Sequence, residues 1–361
     1  MIKNLKALEG IRGLTAFYVL VHHARLLLTL PYRDGLLTHP EKYEWYDRLM
    51  VYLFSFFKFG HEAVIIFFVL SGFVIHLKQA DPTFNFGTFK LLYYLKKRVI
   101  RIYPTLLISL ALCVLTDYII YLISPKENTM IFGKYSLAAF LYNFFLIPEG
   151  PIWGINWPVW SLKHEWFFYL IYPFMLYFSS KSRVVAISIP ILLFMIYITG
   201  YSIPYIGAAS YTLLIWSCGC LLANFYVKSI KSLKWIQFLL MLIIIYPFLY
   251  RKFDSPPIMD VIFGLIAIGF LALVLSERIK IINTILIRFA WLGTFSYSLY
   301  LLHFPLLNVG EAVILNMSPN NQKPYHLWYV LASIFIILPI IYYIYYFTER
   351  IAIHQKKRIN N

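Results

Sequence analysis

Arg12 and His23 are the first two residues in the chain whose types and spacing suit chemistry. They lie eleven positions apart, so on an α-helix they differ by about 20° in azimuth and about 16 Å in height. One helix face then carries a cation at its mouth and a titratable ring well inside. His22 points about 100° away from His23, so His23 is the imidazole that shares the face of Arg12. Arg98 and Arg101 are three apart and share a face too. Paired guanidinium forks suit a phosphate-bearing ligand, because each fork binds phosphate oxygens bidentately. Glu165 follows Trp160, Lys163 and His164; its carboxylate can orient an imidazole or hold sugar hydroxyls, and the tryptophan can stack on a sugar face. Ser296, Tyr300 and His303 form a stripe at i, i+4 and i+7, and Pro305 frees a backbone carbonyl beside His303. Each group also has a plainer reading: a snorkelling or topological cation, an aromatic belt, or hydrogen-bonding glue between helices.

The elements that must position these residues are membrane spans. The chain is 61% hydrophobic and only 13% charged, with mean hydropathy +0.70, whereas soluble domains carry about a quarter charged residues. The composition excludes a soluble domain and predicts an all-α integral membrane protein. Residues 1–361 read as one transmembrane domain with room for roughly ten spans of about 20 residues and little else. Spans are expected near 11–30, 56–77, 102–123, 164–180, 184–200, 208–227, 235–250, 258–276, 290–310 and 326–347. Glu165 then sits about one residue into the fourth span, at the outer surface. Residues 135–147 are apolar but short and lead into Pro148, Pro151 and Pro158, which suits an interfacial or re-entrant piece.

Roughly two thirds of the 32 Lys and Arg residues fall at the ends and in the loops on the N-terminal side. The positive-inside rule therefore places both termini in the cytoplasm. Topology and anionic lipid headgroups account for most of the net charge of +16, so no nucleic-acid partner is implied. The first apolar run lacks a small-residue cleavage site and is expected to stay as the first helix. Cys113, Cys218 and Cys220 all lie in apolar runs and read as small buried side chains rather than a disulfide or metal site.

Taken in order, these stretches resemble the acyltransferase-3 family of integral membrane O-acyltransferases. The resemblance rests on Arg12 to His23, the Phe-Phe-Val-Leu-Ser-Gly run from Phe67 to Gly72, and the Arg-Val-Ile-Arg-Ile-Tyr-Pro run from Arg98 to Pro104. It rests also on Trp160 to Glu165 and on Gly293 to Pro305, and so spans nearly the whole chain. Two positions depart from the pattern: Ile65, where many members carry an acidic residue, and Trp166, where a polar residue is common. The resemblance implies transfer of an acyl group, acetyl by default, from cytoplasmic acyl-CoA to a hydroxyl of a cell-envelope or exported glycan or its lipid-linked precursor. In that reading Arg12, Arg98 and Arg101 hold the donor phosphates and His23 is the catalytic base or an acyl carrier. Glu165 assists it, while Trp160, Ser296, Tyr300 and His303 line the acceptor path. It implies a multi-pass cell membrane, bacterial inner membrane by default, with acyl-CoA as co-substrate, membrane lipids around it, and no metal or permanently bound cofactor. A transporter or flippase for a lipid-linked saccharide is the alternative; it predicts translocation without consumption of acyl-CoA.

Overall fold

A computed structural model describes residues 2–30, 32–124, 134–228, 236–252, 255–318 and 321–350. The described residues are 79% helix and include no strand. In order the helices are α1 (Ile2–Leu28), α2 (Trp45–Ser55), α3 (Gly60–His76), α4 (Leu91–Ile123), α5 (Leu137–Phe144), α6 (Val159–Lys181), α7 (Arg183–Ile198) and α8 (Ala209–Lys228). They continue as α9 (Leu242–Lys252), α10 (Pro256–Leu275), α11 (Lys280–Arg288), α12 (Ala290–Thr294), α13 (Ser296–Met317) and α14 (Trp328–Phe347). Each span expected from the sequence is largely helical over its described residues; residue 235, the first of the expected 235–250 span, lies outside them. By length and composition, however, six helical stretches among the described residues are long and apolar enough to cross a membrane: Trp45–His76, α4, α8, α10, α13 and α14. Cys113, Cys218 and Cys220 are free thiols, the first and last buried.

Several boundaries differ from the sequence reading, each for a local reason. The second span begins at Gly60 rather than 56, and α2 precedes it with Asp47, Val51 and Phe54 on its buried face. Between them Phe57 and Phe59 leave helical geometry. Broken backbone at membrane depth needs partners from protein or water, and α1 supplies them. Tyr18 Oη donates to the Phe56 carbonyl and accepts from the Phe59 N–H at 3.2 Å, while His22 Nδ1 is 2.8 Å from the Phe57 carbonyl. A Cβ on Gly60 would come within 2.4 Å of the His22 ring, so any larger residue there must displace that ring. The helix expected from 102 begins at Leu91 and runs 33 residues, about 50 Å at 1.5 Å per residue. Its basic first turns thus extend well past a hydrocarbon core of about 30 Å. Glu165 lies well inside α6, because that helix starts at Val159. The ninth span is interrupted at Phe295, which separates α12 from α13.

Proline-freed carbonyls are answered from other helices. Pro305 removes the N–H that would meet the Leu301 carbonyl four residues earlier. That oxygen instead accepts from Asn156 Nδ2 at 2.9 Å and Ser109 Oγ at 3.3 Å. Pro173 likewise frees the Tyr169 carbonyl, which accepts from Tyr94 Oη at 3.3 Å.

Helix α1 lies between two apolar clusters. Leu8, Ile11 and Val19 join one formed with α3, α4, α6, α8 and α10. Ala16, Leu20, Val21, Ala24 and Leu28 join another formed with α13 and α14. Glycines allow the closest approaches. A Cβ on Gly10 would lie 1.9 Å from the Leu286 carbonyl oxygen, and one on Gly13 would lie 2.4 Å from Gly293 N. Helices α3 and α8 cross through a reciprocal pair, with Gly72 against the Trp216 carbonyl and Gly219 against that of Val69. This is the small-residue packing expected where lipid gives no hydrophobic drive for helix association.

Candidate active site

A cavity of about 320 Å³ opens among α1, α3, α4, α6 and α13. Arg12, Arg101, Glu165, Ser296 and Tyr300 line it together with Ser71. Five of the residues singled out in the sequence, from four separate stretches, therefore meet at one site. Glu165 is held in place: Ser71 Oγ donates to its Oε1 at 2.7 Å, and Tyr169 Oη donates to the same oxygen. Trp216 Nε1 in turn donates to Ser71 Oγ at 3.3 Å. Glu165 thus shares the cavity with both arginines, rather than standing apart from them at the outer surface.

The arginines divide their tasks. Arg12 Nη2 donates to the Gly293 carbonyl, freed by the break between α12 and α13, and Ser296 Oγ donates to the same oxygen at 3.0 Å. Arg98 does not line the cavity. Its guanidinium lies 5.0 Å from the Tyr94 ring and 5.1 Å from the Tyr169 ring, a cation–π placement. Glu349, which the sequence reading did not single out, is buried at the foot of α13. Its Oε2 accepts from Ser298 N–H at 3.3 Å and Oγ at 2.9 Å, capping that helix. Burial raises its carboxyl pKa, and nearby Arg12 and Arg101 oppose the rise.

Beyond Tyr300 stands a pair of imidazoles. His23 Nδ1 and His303 Nε2 are 2.9 Å apart, with ring centroids 5.1 Å apart and planes 20° from parallel. His303 is fully buried, and its ring centre lies 6.0 Å from that of Tyr300. The hydroxyl of Tyr300 is 2.7 Å from Ser161 Oγ and donates to the Pro158 carbonyl at 3.2 Å. The imidazoles do not line the cavity; Tyr300 is the side chain shared by the two places. Arg12 and His23 face the α12–α13 stretch eleven residues apart on α1, meeting Gly293 and His303 ten residues apart. The two segments therefore run parallel and in step, which brings the sequence-derived face of α1 onto the polar stripe of α13.

Trp160 lies elsewhere. It stacks on His61 at 5.6 Å and meets His164 edge-on at 5.1 Å. His61 Nε2 is 2.9 Å from both Asp260 oxygens. Ser71 and Tyr169 also escaped notice as partners of Glu165. Tyr169 follows it by four positions, so the i, i+4 rule was the available signal. Ser71 carried none, since α3 and α6 are brought together only by the fold.

The acyltransferase-3 family, described as an acyltransferase domain, matches residues 5–346. The chain belongs to that family. It is accordingly an acyltransferase and a multi-pass membrane protein. No curated protein and no solved structure matches it. In this acyltransferase-3 protein the matched segment contains every residue of the cavity and both imidazoles. Glu349 lies just outside it.

Proposed function

We propose that this acyltransferase moves an acyl group, acetyl by default, from cytoplasmic acyl-CoA to a hydroxyl of a cell-envelope or exported glycan or its lipid-linked precursor. The observation that carries this reading is a cavity holding two guanidiniums and a tethered carboxylate, one tyrosine away from an imidazole pair. Arg101 and Arg12 offer forks for the phosphate-bearing donor. The apolar lining from Val64, Phe68 and Leu70 suits the pantetheine arm and thioester. His23 is the base. The acceptor hydroxyl attacks the thioester carbonyl and gives its proton to His23; the C–S bond breaks, and the imidazolium returns the proton to the departing thiolate. The products are an ester and CoA. Glu165, Ser296 and Tyr300 orient the reacting groups. The reading includes ten spans with both termini cytoplasmic, in a bacterial inner membrane, so that donor and acceptor arrive from opposite faces.

The test is acyl transfer from radiolabelled acetyl-CoA in inside-out membrane vesicles carrying the protein and its native envelope glycans. His23→Ala should reduce label in the glycan by a factor of about 10² to 10⁴ while acetyl-CoA still binds. His22→Ala should lower the amount of folded protein more than the turnover of what remains, because His22 holds the Phe57 carbonyl. Wild-type labelling by His23→Ala rejects the assignment. Glycan translocation without CoA release in the wild type would favour a flippase instead.

A further inference from the structure

The imidazole pair ends on a carbonyl, and that fixes where its protons lie. His303 Nδ1 is 3.1 Å from the carbonyl oxygen of Leu299, one turn earlier on α13. A carbonyl only accepts, so Nδ1 of His303 carries a hydrogen. In the neutral ring the other nitrogen, Nε2, then holds a lone pair. That nitrogen lies 2.9 Å from His23 Nδ1, so the hydrogen of this contact belongs to His23. His23 is left as the Nδ1–H form, with the lone pair on its Nε2. The Leu299 carbonyl thus selects the tautomer of a ring on another helix.

We propose that His303 is a positioning residue that holds His23 in the Nδ1–H tautomer, so that Nε2 of His23 is the atom that takes the acceptor proton. This rests on the assignment of His23 as base. The buried site strengthens the argument. His303 is fully buried on a helix locked by Asn156 and Ser109 at the Leu301 carbonyl. The two rings meet nitrogen to nitrogen with their planes 20° from parallel, which further restricts rotation of His23. When Nε2 of His23 gains the hydroxyl proton, its Nδ1–H stays on His303 Nε2, and that contact becomes a charge-assisted hydrogen bond. His303 remains neutral throughout. The proton leaves from His23 Nε2 to the thiolate sulfur, and the pair returns to its starting state. An orienting partner that sets the tautomer of a catalytic imidazole plays the same physical role in serine hydrolases; here the partner is a second imidazole tied to a main-chain carbonyl.

The test separates an acceptor at this position from mere volume. The side chain of Gln places its terminal amide where His carries Nε2, so His303→Gln supplies an oxygen to accept from His23 Nδ1–H. His303→Leu supplies none. His303→Asn reaches only the Nδ1 position, keeping the tie to Leu299 and leaving His23 without a partner. With radiolabelled acetyl-CoA in inside-out vesicles, His303→Leu and His303→Asn should each lower kcat by at least about 10²-fold, with KM for acetyl-CoA within about twofold of wild type. His303→Gln should stay within about tenfold of wild-type kcat. Thermal melting in detergent is followed in parallel; if His303→Leu fails to fold, the Asn and Gln pair decides. Equal kcat in all three variants, whether high or low, overturns the proposal. Loss of activity in His23→Ala alongside a fully active His303→Asn also rejects it, yet leaves the base assignment intact. Full activity in His23→Ala removes the base assignment itself.

Discussion

Arg12 does two things at once: it closes a gap in a neighbouring backbone and presents charge to a cavity. A cation in hydrocarbon is expensive, and here the Gly293 carbonyl and the Glu349 carboxylate lie close by to offset that cost. Arg98 and Arg101, paired in the sequence, have different surroundings. Arg101 lines the cavity, whereas Arg98 is held between Tyr94 and Tyr169. Arg101→Ala should therefore raise KM for acetyl-CoA by about tenfold or more, while Arg98→Lys should leave KM within about twofold, since a cation over the rings survives. Steady-state donor kinetics on both variants check this; equal KM values would show that the pair acts as a unit. What was legible at this scale was local. The spacing of Arg12 and His23, and of Ser296, Tyr300 and His303, follows from the helical repeat alone. Contacts such as Ser71 with Glu165, or Ser298 with Glu349, join residues distant in sequence. No periodicity announces them.

Between elements, glycine sets the spacing on which the site depends. Gly72 follows Ser71, the residue that donates to Glu165, and a Cβ on Gly72 would lie 2.0 Å from the Trp216 carbonyl oxygen. Helix α3 must then move away from α8, carrying Ser71 off Glu165. Gly72→Ala should cost about 1–3 kcal/mol, the usual range for forced overpacking, and lower both melting temperature in detergent and transfer rate. A variant with unchanged melting would mean that α3 and α8 are not held at this distance in the membrane. The Ser71-Gly72 dipeptide reads as packing in the sequence, and Gly72 does pack. The breaks at Phe57 and Phe295 were not legible, because neither contains proline. They exist because side chains on α1, α13 and α14's end satisfy the exposed backbone groups, and such partners are visible only once the helices are assembled.

At the scale of the whole molecule, the helices that fall short of membrane-spanning hydropathy include two that carry candidate site residues. Helix α1 bears Glu9, Arg12, His22, His23 and Arg25, and α6 bears Lys163, His164 and Glu165. Neither is among the six helical stretches apolar enough to span alone, although both are longer than the roughly 20 residues a span requires. Counting both as spans, with α7 and the 237–252 segment, restores the expected ten and leaves both termini on one side. A reporter fused after Asn361 should then be active only in the cytoplasm; activity on the far side would remove one span from the count.

The position of α1 between two apolar clusters also bears on how the protein is made. A helix with this load of charge and imidazole is a poor substrate for lateral release into lipid, since central Arg costs about 2.5–3.5 kcal/mol on insertion scales. Its partners at Gly293 and His303 are synthesised some 280 residues later. Until they emerge, α1 lacks these two partners of Arg12 and His23. In a nascent chain truncated before Ala290, a cysteine placed in α1 should react with a water-soluble maleimide, and in one extended past Met317 it should be protected. The charged and imidazole residues of this helix thus make its residence in the bilayer conditional on the arrival of the last third of the chain.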